Sequence, residues 1–205
     1  MLKKPNNYDE VVVNEDFERI ELGGHKGIIL KVQEYTSEVS GNTSLKVCVD
    51  TSNDDKQPNY FKKQYDNNTL SERKWSNSAI KYVSLKEDEN CVKMLKGFIT
   101  AVENSNTGFV YDWNKEVNQL EGKKVGLMFG LEEYQDNEGK IKTTSKLVQF
   151  RSIDKVENTK IPKVKLISGE MVEYEDYQKN KNNPIARQLT DEELDKFLDN
   201  AGITL

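Results

Sequence analysis

Histidine, cysteine and proline are scarce in this chain: its 205 residues hold one histidine, two cysteines and four prolines. The one histidine, His25, has no cysteine or second histidine at ligand spacing, so no His/Cys metal site is expected. It is read as a surface residue at the start of a strand, neither general base nor ligand. No GxSxG, Walker-type loop or HExxH occurs, so the common nucleophile, phosphate-cradling and zinc-hydrolase patterns are missing. No enzyme and no cofactor are expected. Cys48 and Cys91 form a lone, widely spaced pair, expected as free thiols rather than a disulfide. Long apolar runs are missing too, and the longest falls far short of a membrane span. No charged-then-apolar leader opens the chain, so a cytoplasmic protein is expected, with no membrane partner.

Charge is plentiful. Charged residues make up 32% and hydrophobic ones only 35%, which predicts a modest core under much solvated surface. The net charge of −5 is unevenly spread: residues 1–23 and 161–205 each carry −3, while residues 24–160 carry +1. Such a near-neutral middle is unlike a strongly basic duplex-DNA binder but permits a local basic groove. The length suits one domain with appendages. The expected division is an N-terminal arm over 1–22, a central domain over 23–160, and a C-terminal extension over 161–205.

Within the central domain, HKGIILKVQEY (His25–Tyr35) predicts a strand, with Ile28, Leu30, Val32 and Glu34 on one face and Ile29, Lys31 and Gln33 on the other. A turn at Ser40-Gly41-Asn42 leads to a returning strand over Ser44–Thr51, where Leu45, Val47 and Val49 alternate with Lys46, Cys48 and Asp50. Tyr60–Tyr65 reads as a third strand, followed by a mixed insertion over 66–83. Ser84 and Glu87 form a capping box. Beyond it Cys91, Leu95, Phe98, Ile99 and Val102 make an apolar helical stripe. An Asn/Gly loop follows, in which Trp113 is expected to anchor packing, then a strand over 123–131 and a last strand over Gly139–Ile153. Asp176–Asn183 reads as a polar linker. Thr190 and Glu193 cap a short acidic helix whose apolar residues are Leu194, Phe197 and Leu198.

Three strands, a helix and two strands is the order of an OB-fold, a five-stranded Greek-key barrel. The expected class is therefore mainly β, with one inserted helix, the N-terminal arm and the acidic C-terminal helix; a split β-sandwich is the competing architecture. Acidic clusters at Glu87-Asp88-Glu89 and Glu132-Glu133 are ordinary helix-start and strand-end features, and no metal site is expected there.

Aromatic and basic residues interleave in a more pointed way. Binding a single strand without sequence readout needs cations along the phosphates and flat rings under the bases. Tyr60, Lys62, Lys63 and Tyr65, then Arg73, Lys74 and Trp75, then Lys81 and Tyr82, supply both. Lys46 on the first hairpin and Lys142 and Lys146 on the last strand fall on elements that line an OB groove. The competing reading puts Phe61 or Trp75 in the core and the lysines in solvent. The C-terminal residues Leu194, Phe197 and Leu198 would dock on a partner protein or fold back on the domain.

A set of motifs adds to this. Leu95-Lys96-Gly97-Phe98-Ile99-Thr100, Val102-Glu103-Asn104-Ser105-Asn106, Gly122-Lys123-Lys124-Val125-Gly126, Phe129-Gly130, Glu132-Glu133-Tyr134 and Gly139 together resemble a family of phage and prophage proteins of Gram-positive bacteria. The resemblance spans roughly residues 17–166. It implies an OB-like fold and single-stranded DNA binding beside phage replication and recombination. It further implies phage or host replication and recombination proteins as partners through the acidic C-terminus, inside the host cytoplasm. Single-stranded-DNA-binding proteins commonly close an acidic tail with Pro-Phe; this chain ends Gly202-Ile203-Thr204-Leu205. The rival expectation is a protein-binding phage adaptor or counter-defence inhibitor, favoured by the acidic ends. The oligomeric state is left open.

Overall fold

The computed structural model of the protein describes residues 3–4, 18–157 and 159–181, residue 181 by its backbone only. Most of the expected arm and the whole of residues 182–205, including Leu194, Phe197 and Leu198, lie outside the described residues. The first hairpin is β1 (Gly23–Thr36) and β2 (Thr43–Thr51), followed by α1 (Tyr60–Asp66), β3 (Ile80–Ser84) and α2 (Glu89–Ser105). A second hairpin, β4 (Lys124–Gln135) and β5 (Ile141–Arg151), is followed by β6 (Val164–Lys165), β7 (Met171–Val172) and α3 (Tyr174–Lys181). The fold is mainly β. One seven-stranded mixed sheet runs β3–β2–β1–β4–β6–β7, with β5 joined to β4.

β1 belongs to two pairings. Gly23–Ile28 lies antiparallel to β4, and Gly27–Thr36 lies antiparallel to β2. A bulge between Ile29 and Lys31 interrupts the second ladder. An extra residue turns every following side chain to the opposite face. His25, Gly27 and Ile29 point inward, then Val32, while Leu30 is exposed. The alternation expected from the sequence, with Leu30, Val32 and Glu34 sharing a face, is corrected by that one residue. On the opposite edge of β1 the bulge is held by its own bonds. Ile29 N–H donates to Lys123 O at 2.9 Å, Gly122 N–H to Ile29 O at 2.8 Å, and Val32 N–H to the Glu121 carboxylate at 3.0 Å.

The third strand is β3, within the stretch read as an insertion; Tyr60–Tyr65 is helix α1, not a strand. The cause is Asp50, a carboxylate 2% exposed at the end of β2. It accepts the backbone N–H of Phe61 at 2.9 Å and of Lys62 at 3.1 Å, two donors that a helix start leaves unpaired. Thr51 Oγ1 accepts from Tyr60 N–H at 2.9 Å. Burial pushes the Asp50 carboxyl up, and the N–H donors of Phe61, Thr51 and Lys62 oppose it. Tertiary capping thus outweighs local β-propensity in an aromatic-rich segment.

Helix α2 begins later than the Ser84 capping box predicts. Asp88 is the N-cap, accepting from Cys91 N–H at 3.0 Å, while Ser84 closes β3. Its stripe holds: Phe98, Ile99, Ala101 and Val102 are buried, with Leu95 half-buried against the core. Phe61 and Phe129 meet at 5.7 Å within that core, joining α1 to β4. The turn at Ser152–Val156 lies so close to the sheet that a Cβ on Gly24 would sit 2.0 Å from the Val156 carbonyl oxygen. Helix α3 takes in Asp176–Lys181, most of the stretch Asp176–Asn183 read as a polar linker. It docks through Tyr177, whose hydroxyl donates to the buried Glu133 carboxylate at 3.0 Å. No helix of the described residues is long and apolar enough to cross a membrane.

Asp50→Ala should cost about 3 kcal/mol, since it leaves buried N–H donors unsatisfied. Urea unfolding measures this; a loss below about 0.5 kcal/mol would show that Asp50 does not hold α1 in place.

Candidate nucleic-acid interface

Directly opposed residues of antiparallel strands share a face. Behind the β1 bulge the register therefore lays out a surface in rows: Lys31 opposite Cys48, Gln33 opposite Lys46, Tyr35 opposite Ser44. β3 extends the rows, with Lys46 opposite Tyr82 and Ser44 opposite Ser84. Leu45, Val47 and Val49 occupy the other face as core. Tyr35 and Tyr82 reach diagonally across β2 over the small Ser44 and meet with ring centroids 5.4 Å apart at 57°. They are 39% and 46% exposed. Lys31 and Lys46 make no ion pair among the described residues, and both act electrostatically on the half-buried Cys48 thiol between them. Burial pushes that thiol up and the two ammonium groups oppose the shift. Beside the tyrosine pair an open groove of about 460 Å³ continues over Ser37, Ser40, Asn42 and Lys86.

The residues singled out from the sequence divide between this surface and other places. Lys46 and Tyr82 lie side by side on it. Tyr65, Arg73 and Trp75 form a second cluster: the Tyr65 and Trp75 rings are 5.7 Å apart, and the Arg73 guanidinium lies 5.1 Å over Tyr65. Trp75 donates its indole N–H to Val49 O at 3.2 Å and packs half-buried on the core, so it is partly structural. Ser44 and Val49 lie five residues apart on β2, so the two clusters are anchored roughly 17 Å from one another.

Tyr60 cannot stack on a base. It is 9% exposed, and its hydroxyl donates to Glu18 O at 2.8 Å and accepts from Gln64. Lys62 is exposed on α1 and paired with Asp66 at 2.7 Å; Lys63 and Lys74 are exposed. On the second hairpin Lys142 is paired with Asp136 at 2.6 Å and Lys146 with Glu132 at 3.0 Å. Trp113 is not a packing anchor: it is 70% exposed, leaning edge-on against Tyr111, which is the buried residue of that loop. Tyr35 is the main residue that sequence reasoning missed. A bulge that turns it outward leaves no mark in the hydrophobic alternation.

His25 is buried, not at the surface, and 1% exposed. Nδ1 meets Asp55 Oδ1 at 2.8 Å and Nε2 meets Glu21 O at 3.1 Å, with Phe129 edge-on to the ring. Both partners are acceptors, so the ring donates to both only as the imidazolium. A His–Asp pair with its second nitrogen committed to a backbone carbonyl has no free atom for a solute; it fastens the loop after β2 to β1. Asp55 also accepts from Lys26 N–H at 2.7 Å and Gln57 N–H at 2.9 Å. Burial would raise its carboxyl, but the His25 and backbone donors together hold it below the ordinary value of 3.8. Among the described residues no group of three or more His, Cys, Asp and Glu could hold a metal ion.

Compared with known proteins, no family model matches the chain and no curated protein matches it in sequence.

A carboxyl depressed on folding stabilises the folded state above the ordinary carboxylate range, and that stability is lost as pH falls through the folded value. The advantage of the native chain over Asp55→Asn should therefore be full near pH 6 and shrink steadily below about pH 4. Thermal unfolding across that range checks this; an advantage independent of pH would contradict it.

Proposed function

We propose that the protein binds single-stranded DNA without sequence preference, across the outward face of β1, β2 and β3. The observation that carries this reading is the Tyr35–Tyr82 pair, two exposed rings in contact across β2 beside lysines that no carboxylate of the described residues neutralises. Exposed rings offer every base the same π-face, and free ammonium groups follow the phosphates, so affinity needs no base-edge readout. The Tyr65–Arg73–Trp75 cluster extends the surface toward the far end of β2.

An OB-type barrel is the architecture proposed with it. Supporting it are the element order, the double pairing of β1 with β2 and β4, and the approach of β3 to β5 within 8 Å between Cα atoms. β6 then pairs with β4 at Glu132, beyond the stretch that β1 occupies. In that architecture oligonucleotides lie on the face of strands two and three. The resemblance to phage and prophage proteins supports a place beside replication and recombination in the host cytoplasm. The role is binding rather than turnover. Leu194, Phe197 and Leu198 are proposed as the surface that recruits replication or recombination proteins.

The test is titration of the full chain with oligo-dT, matched duplex and RNA at two salt concentrations. Single strands should bind best, with affinity falling steeply as salt rises. Tyr35→Ala with Tyr82→Ala should weaken oligo-dT binding at least about tenfold at unchanged melting temperature. This pair is a cleaner probe than Trp75, whose removal also damages the core. No binding of any oligonucleotide by the native chain, together with a host protein captured after nuclease treatment, would favour the adaptor or inhibitor reading instead.

A further inference from the structure

Lys81 is the second residue of β3, opposite the fully buried Val47, so its stem runs on the core side of the sheet while Tyr82 beside it faces out. Half-buried on a strand that approaches β5 within 8 Å between Cα atoms, it feels the charges of Lys146 on β5, Glu132 on β4 and Lys165 on β6. Glu132 already serves two cations, Lys165 at 2.6 Å and Lys146 at 3.0 Å. The hydrogen bond from Lys165 holds its carboxyl below the usual carboxylate range; burial opposes this, and Lys146 adds to it. Lys81 has no ion pair or hydrogen bond of its own among the described residues. Burial pushes its ammonium down, Lys146 and Lys165 push it further, and only Glu132 pulls the other way. Two ammonium groups thus hold one carboxylate, and a third, half-buried on the neighbouring strand, lacks the partner that burial ordinarily demands. A compact anion with several acceptor oxygens would supply it.

We infer that Lys81, Lys146 and Lys165 form a site for one phosphate group at the gap between β3 and β5. The phosphate is either a phosphodiester of a strand that has crossed Tyr82 or a free phosphate ion. The first source rests on the single-stranded DNA reading; the second does not. The position fits the first source, because the backbone of β3 presents Tyr82 on one side and Lys81 on the other. A strand stacked on the tyrosine needs to cross only one strand edge to reach the three lysines. Lys146 then serves through the face it shares with Gly130, beside Glu132.

The experiment is thermal unfolding of the full chain in sodium phosphate and in sodium chloride at equal ionic strength, with Lys81→Met and Lys146→Met alongside. Phosphate should raise the native melting temperature above the chloride control, and both variants should lose that increment. Lys146 is partly exposed at the sheet surface, so its variant keeps the test alive if Lys81→Met fails to fold. Oligo-dT titration against salt identifies the source. A log–log slope lower by about one in each variant assigns the site to the strand backbone. An unchanged slope with a lost phosphate increment assigns it to free phosphate. A native chain that shows the increment but binds no oligo-dT refutes the DNA reading and leaves this site standing. No phosphate increment in the native chain, with unchanged slopes in both variants, overturns the site.

Discussion

One extra residue in β1 decides which chemistry this protein presents. Up to Ile29 the odd-numbered side chains of the strand fill the core, and unbroken alternation would send Lys31, Gln33 and Tyr35 inside after them. Two polar groups and a phenol would then lie against Val47 and Leu45, at a desolvation cost of several kcal/mol. The bulge avoids that and places the three residues in register with Cys48, Lys46 and Ser44, with Tyr82 opposite Lys46 on the next strand. The neighbouring chain makes the irregularity tenable. Lys123, Gly122 and the Glu121 side chain satisfy backbone groups around it, so the segment before β4 is part of what shapes the β1–β2–β3 face.

Charge placement sharpens the same picture. Lys142 and Lys62 each sit beside a carboxylate, which flattens the local potential, although exposed pairs of this kind contribute little to stability. Among the described residues Lys31, Lys46 and Lys81 have no such partner, and the Glu132 carboxylate whose charge Lys81 feels is already paired with Lys146 and Lys165. A chain that is acidic overall therefore still carries lysines on its first hairpin with no ion pair among the described residues. The acidic charge is concentrated toward the two ends of the sequence.

What could be read from the sequence follows from how far each signal reaches along the chain. β2, with Leu45, Val47 and Val49 alternating, and α2, with its stripe at Leu95, Phe98, Ile99 and Val102, are periodic within one element, and both were legible. The mainly β class followed from them. Tyr60–Asp66 was not legible, because its helix is nucleated by Asp50, ten residues upstream, in competition with aromatic β-propensity. β3 was hidden for the converse reason: five residues with mixed alternation become a strand only by pairing with β2. At the candidate site, Lys46 and Tyr82 were found because basic and aromatic residues are conspicuous in any register. Tyr35 was missed and Tyr60 was misplaced outside the core; Lys81 stood out only as part of the basic and aromatic pattern beside Tyr82, and Lys165 carried no local signal, since only the sheet order relates the two.

The most direct measurement is a map of amide chemical-shift changes in the labelled chain as unlabelled oligo-dT is added. If bases stack on Tyr35 and Tyr82, the largest changes fall on residues 31–35, 44–48 and 81–84, with little change on the exposed side of α2 around Val92 and Met94. Changes centred on α2 or on the Lys62–Asp66 side of α1, with residues 31–35 and 81–84 unmoved, would contradict the β1–β2–β3 face as the binding surface.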